Sequence, residues 1–258
     1  MIRYTRFIAL GDSFTEGVGD IQVDGQFKGW ADRVAERIAL QQSDFSYFNL
    51  AIRGKLVAEV VNLQIPEALA WIDGPNTLVS FHAGPNDVLR PGYNPEIVLP
   101  QYREAVRTLA ATGAQLLLFT AIERVAKSGK MQELWHQRFS GFNNNVRLIA
   151  LEVGAIVADA NFDPDIATPR FVDVDKLHLN PAGHARVAES VLQLIGAEFD
   201  PNWSTPLPPL PPVGKIKATW AELNWIFTFL LPWISRRIRG ISSGDGRVAK
   251  HREPITLS

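Results

Sequence analysis

Short apolar runs alternate along most of the chain with longer stretches in which apolar residues recur three and four positions apart. The runs are Phe7–Leu10, Tyr47–Ala51, Leu78–Ala83, Leu116–Ala121 and Ala155–Ala158. The periodic stretches are Trp30–Leu40, Leu56–Ala70, Pro95–Ala111, Gln132–Val153 and Pro181–Ile195. A short continuous apolar run suits a strand buried on both faces, and the longer spacing gives a helix one apolar side. Strand and helix in repeated alternation predict a parallel sheet covered above and below. With right-handed crossovers this becomes an α/β fold, a three-layer α/β/α sandwich around a five-stranded parallel sheet of flavodoxin-like type. In such sheets, binding and chemistry gather at the carboxyl ends of the strands.

The pattern changes at Pro201. The stretch PNWSTPLPPLPP over 201–212 holds six of the 17 prolines and predicts an extended, stiff linker. Beyond it, Trp220–Ile234 is apolar on nearly every side and contains three of the seven tryptophans. It reads as a helix, stopped or kinked near Pro232, before a basic tail that includes Arg236 and Arg237 and is expected to be mobile or wrapped over the surface. The chain therefore divides into a body over 1–200, a Pro-rich linker over 201–212, and an apolar helix with a basic tail over 213–258.

Composition narrows the chemistry. Cysteine is absent, which removes disulfides, thiolate metal sites and cysteine nucleophiles. The net charge of −1 speaks against a nucleic-acid partner. It conceals an asymmetry: from Pro212 onward eight basic and three acidic residues give +5, and the remainder carries −6. The first apolar run is too short for a signal-peptide core and no stretch could span a bilayer, so a cytoplasmic protein is expected. A helix apolar all round is usually buried, against the body or a second subunit. Its aromatic residues and following arginines also suit the surface of an anionic membrane. Residues 220–239 are thus expected to serve self-association or peripheral membrane contact.

Candidate chemistry lies where the apolar runs end. Gly11-Asp12-Ser13 leaves the first strand, and a serine there is well placed as a nucleophile if a base reaches it. The same residues also suit a helix cap or turn, or a phosphate-binding loop of the kind that holds flavin phosphates. Among the five histidines, His178 has a carboxylate three residues earlier, Asp175, so a local acid–imidazole pair can form on one turn. Such a pair also suits a plain surface ion pair. Asp173 is the spare acid. His184 and His82 read as packing residues, His136 as part of a helix face, and His251 belongs to the tail. Asn180-Pro181 predicts the capped start of the next helix. Gly54 follows the second run and Gly84-Pro85-Asn86-Asp87 the third. Either could offer hydrogen-bond donors to an oxyanion, although both also read as ordinary turns.

Taken together, the four segments resemble the blocks of the SGNH hydrolases, the GDSL esterase/lipase family. The resemblance covers roughly the first 200 residues. It implies Ser13 as nucleophile, Asp175 and His178 as the rest of a triad, and an oxyanion hole from the Ser13 and Gly54 N–H groups and the Asn86 side chain. It implies no metal or organic cofactor. The substrate would be a small-molecule acyl ester cleaved by hydrolysis. An acyltransferase, or a deacetylase acting on acylated sugars or lipids, would use the same triad. Without a triad, the fold would suit a flavodoxin-like binding protein. Pro85 stands where the family often has glycine and is expected to push Gly84 towards an extended backbone. The segment after Pro201 lies outside the family core and resembles C-terminal extensions of some actinobacterial members.

Overall fold

The computed structural model describes residues 4–123 and 129–257, without the side chains of Met131 and Arg237. Residues 1–3 and 124–128 of the expected body, the Arg237 side chain of the basic tail, and Ser258 lie outside the described residues. The central strand β1 (Arg6–Gly11) lies between β4 (Ser46–Asn49) and β5 (Thr77–His82), parallel to both. β6 (Gln115–Phe119) and β7 (Ile156–Ala158) extend the sheet beyond β5, again in parallel. Alternate residues of β1 feed opposite faces. Ile8 and Leu10 join Val60, Tyr102, Leu109 and Phe142 on one side. Phe7 and Ala9 join Trp30, Val34, Ile38 and Val191 on the other. The first cluster draws on α3 (Val57–Leu69), α5 (Pro95–Ala110) and α6 (Lys130–Val153). The second draws on α2 (Gly29–Ala39) and α7 (Pro181–Leu194). These are the three layers expected from the apolar pattern.

Among the described residues the sheet has six strands, which corrects the expected five. The sixth, β8 (His251–Ile255), comes from the end of the tail and runs antiparallel to β4. Its sequence HREPI carries charges and a proline, with no apolar run to announce it. Those are properties of an edge strand, since proline removes a donor and charge discourages further pairing. A small hairpin, β2 (Gln22–Val23) and β3 (Gln26–Phe27), lies between β1 and α2.

Lys250 ties this strand to the body. Its side chain is only 6% exposed. Its ammonium group donates to the carbonyls of Glu16 (3.0 Å), Phe27 (2.8 Å) and Lys28 (3.3 Å) and is paired with the Asp32 carboxylate. Burial pushes the Asp32 carboxyl up to about 6, and the Lys250 charge opposes that rise.

The linker is held by Arg186, which pairs with Asp163 and donates to the Trp203 carbonyl at 2.6 Å. Beyond it, α8 (Lys215–Trp225) passes through a π turn (Ile226–Leu230) into α9 (Leu231–Ile238). Near Pro232, where the sequence predicts a stop or a kink, the helix does not stop but runs on to Ile238. The irregularity lies just before the proline, where the Leu231 N–H bonds the Ile226 carbonyl. A proline ring crowds the carbonyl four residues earlier, and a widened turn relieves that clash. Among the described residues no helix is long and apolar enough to cross a membrane.

Replacing Lys250 with alanine removes the cation beside a buried carboxylate. The expected loss is about 3 kcal/mol, read as a lower urea midpoint by circular dichroism.

Candidate active site

Ser13 opens a short helix, α1 (Ser13–Glu16), directly after β1. Two features hold that junction. Gly11 has φ +148°, and a Cβ there would sit 2.3 Å from the His82 carbonyl oxygen, so the close approach of β1 to β5 needs glycine. The buried Gln64 amide pairs with the Gly11 backbone, accepting from its N–H and donating to its C=O, both at 2.8 Å. Asp12 then caps α1, its Oδ1 accepting from the Phe14 N–H at 3.2 Å. The buried Asn49, at the end of β4, donates to the Thr15 carbonyl at 2.9 Å. Among the described residues, the Ser13 N–H meets no acceptor.

The expected donors come from neighbouring strand ends. Gly54 lies in a turn with φ +76°, and its N–H likewise meets no acceptor among the described residues. The turn is fastened to α1 through Arg53, whose N–H donates to Glu16 Oε2 at 2.6 Å and whose guanidinium pairs with the same carboxylate. Asn86, on α4 (Pro85–Val88), turns its amide towards the Ser13 junction. Its Nδ2 donates to Asp12 Oδ2 (2.9 Å) and to the Lys55 carbonyl (3.1 Å), so both amide protons are engaged within the protein. Gly84 does not take the extended backbone expected before Pro85. It has φ +120°, and a Cβ would lie 2.3 Å from the Phe142 ring, so tertiary packing overrides the local preference. Asp87 caps α3 by accepting from the Val57 N–H at 3.0 Å, and burial pushes its carboxyl up to about 6.

The carboxylate and imidazole do meet. Asp175 Oδ2 lies 2.6 Å from His178 Nδ1, and Asp175 Oδ1 accepts from the N–H groups of Leu177 (2.8 Å) and His178 (3.0 Å). Lys176, at φ +58°, makes the tight reversal that brings the two side chains together. Burial alone would raise the Asp175 carboxyl, but the His178 ring and these backbone donors outweigh it and hold it at about 2. An ionised Asp175 accepts, so Nδ1 carries a proton, and in the neutral imidazole Nε2 is then the nitrogen with the lone pair. Asn180 caps α7 as expected, accepting from the Gly183 N–H at 3.0 Å.

The Asp175/His178 loop packs on the Ser13 block. A Cβ at Gly19 would fall 2.1 Å from the Leu179 carbonyl and 3.4 Å from His178 Cβ. The buried His184 accepts from the Trp30 N–H through Nδ1 and bonds the Val18 carbonyl through Nε2, both at 3.2 Å. Burial lowers its pKa to about 4, which keeps it neutral and suits the packing role. Ser13 and His178 form no hydrogen bond with each other in this structure.

Sequence reasoning missed the groups that orient the candidates. Gln64 and Asn49 carry no motif, and nothing in the sequence announces that Asp12, besides capping α1, also fixes Asn86. The tail contributes at three places. Trp225 Nε1 donates to the Asp175 carbonyl at 2.7 Å, and Lys176 pairs with Glu222. Gly244 packs so closely on the Arg53–Gly54 turn that a Cβ would lie 2.1 Å from the Arg53 carbonyl. Lys250 holds the carbonyl of Glu16, the last residue of α1.

The profile of the GDSL-like lipase/acylhydrolase family matches residues 9–186, a span that begins in β1, ends in α7 and contains every candidate residue. The chain belongs to this family. Among solved structures, acetylxylan esterase Axe2 from Geobacillus stearothermophilus is 19% identical, with a TM-score of 0.63 over 78% of this chain and 100% of that one. Esterase EstA from Pseudoalteromonas sp. is 20% identical, with a TM-score of 0.57 over 74% and 97%. TesA is 21% identical, with a TM-score of 0.59 over 74% and 97%. These likenesses show that the GDSL-like chain shares their fold. A search of curated proteins finds no match.

Asp175 generates a pH prediction. Its carboxyl titrates near 3.8 unperturbed and at about 2 here. The folded chain therefore holds this proton less tightly than the unfolded chain. The resulting stability is complete above about pH 4 and is lost as the pH falls towards about 2. Asp175→Asn is expected to destabilise near neutral pH, with the difference from the parent chain shrinking on acidification, measured by urea unfolding across that range.

Proposed function

We propose that this GDSL-like acylhydrolase cleaves carboxylic esters through an acyl-enzyme on Ser13. The observation that carries the proposal is the Asp175–His178 pair, joined at 2.6 Å and polarised so that His178 Nε2 is left as a base. Family membership supports it, as do the N–H groups of Ser13 and Gly54, which meet no acceptor among the described residues.

In the proposed cycle, His178 Nε2 takes the proton of the Ser13 hydroxyl as its oxygen attacks the ester carbonyl. Substrate binding closes the gap between the two side chains, as catalytic hydrogen bonds often tighten only in the complex. The oxyanion is received by the Ser13 and Gly54 N–H groups. Asn86 joins them by releasing the Lys55 carbonyl, while its bond to Asp12 keeps the amide in place. His178 returns the proton to the departing alcohol. Water, giving a proton to the same imidazole, then attacks the acyl carbon; the bond to Ser13 breaks as His178 passes that proton to the serine oxygen, which releases the acid and restores the hydroxyl. Throughout, Asp175 holds the ring and stabilises its cation without taking the proton.

A small soluble acyl ester is the proposed substrate class. A series of acetyl, butyryl and longer p-nitrophenyl esters measures the acyl preference. Product analysis with an added alcohol or sugar separates hydrolysis from acyl transfer. Ser13→Ala is expected to lower kcat by about 10⁴–10⁶ and to abolish labelling by a fluorophosphonate. Asn86→Ala should cost about 10²–10³ in kcat. Full activity in the Ser13→Ala protein would overturn the mechanism.

A further inference from the structure

The C-terminal helical segment presents a row of exposed apolar side chains: Ile216, Trp220, Phe227, Leu231, Ile234 and Ile238. Trp220 is 69% exposed, Phe227 67% and Ile238 82%, although the opposite side, with Trp225 and Phe229, is half-buried. Basic residues flank the row at both ends: Lys215 and Lys217 at the start of α8, Arg236 and Arg239 in and just beyond α9, all exposed. Glu222, the acid in this segment, is paired with Lys176 of the body.

We propose that this face docks the chain on an anionic phospholipid bilayer. The apolar row would enter the boundary between headgroups and acyl chains, with the four basic side chains over the anionic headgroups. The segment is not a candidate to cross the bilayer, and a helix with an apolar row and basic flanks lies in the plane of the interface. Charge argues for lipid over a second copy. The chain beyond Pro212 carries +5, and because both ends of the row are basic, pairing it with its own copy, parallel or antiparallel, would bring like charges together. The anionic surface instead complements it. Docking would also bring the acid–base loop to the membrane. Trp225 and Glu222 hold that loop, and its apolar residues Val174 and Leu177 are 72% and 49% exposed, one residue from those contacts.

The test is co-sedimentation of the full chain with sucrose-loaded vesicles, of phosphatidylcholine alone or with phosphatidylglycerol added. Binding to the anionic vesicles is expected to be at least about tenfold tighter than to the neutral ones and to weaken with salt. Trp220→Glu combined with Phe227→Glu should reduce binding by about tenfold or more, with circular dichroism and turnover of a soluble p-nitrophenyl ester unchanged. Lys215→Glu with Lys217→Glu should reduce binding to anionic vesicles only. Failure of the parent chain to bind, equal binding to both vesicle types, or undiminished binding by the Trp220/Phe227 variant would each overturn the proposal. So would a dimer that Phe227→Glu dissolves in a chain that ignores vesicles. Binding is read without turnover, so a failed hydrolase assignment would leave this result standing.

Discussion

The candidate site hangs from the contact between the end of the central strand and its neighbour. Gly11 can approach the His82 carbonyl so closely only because it has no side chain. That approach, with the Gln64 amide clamped on the same peptide, fixes where β1 stops and Asp12 and Ser13 begin. The two apolar faces of the sheet press on this point from both sides, through Leu10 and Phe81 on one and Ala9 and Phe119 on the other. A serine placed there directly follows a strand that is buried from Phe7 to Gly11.

From that point outward, short polar groups carry the geometry. Asp12 bonds the first turn of α1 with one oxygen and the Asn86 amide with the other, so the candidate nucleophile and the candidate donor are set by one carboxylate. Asp87, the next residue after Asn86, caps α3 at the exit of the Gly54 turn. Glu16, at the end of α1, holds the same turn through Arg53. Each strand end is thereby fastened to another strand's loop. Asp175 follows the same rule, with its second oxygen held by backbone N–H groups.

The C-terminal segment adds a layer to this arrangement. It leaves the body along the Pro-rich stretch, returns to touch the Asp175/His178 loop at Trp225, packs on the Gly54 turn at Gly244, and ends as the edge strand beside β4. Its charge opposes that of the body, which favours the return, and the buried ammonium of Lys250 sits where carbonyls and a carboxylate receive it. The helix between these anchor points is left with one side against the protein and one side facing out.

Features made by near neighbours were legible from the residues. Apolar periodicity announced the five parallel strands and the layers around them, because a strand buried on both faces and a helix buried on one leave different spacings. The Asp175–His178 pair and the Asn180 cap were legible for the same reason: their partners lie three residues away. Gly84 was misread where a local proline preference met the Phe142 ring. The sixth strand escaped because pairing at a sheet edge needs backbone groups and asks little of side chains. Lys250 meets Glu16 across 234 residues, and Gln64 meets Gly11 across 53. No pattern in a linear chain encodes such meetings; they follow from which loops the packed layers bring together, and only the folded molecule decides that.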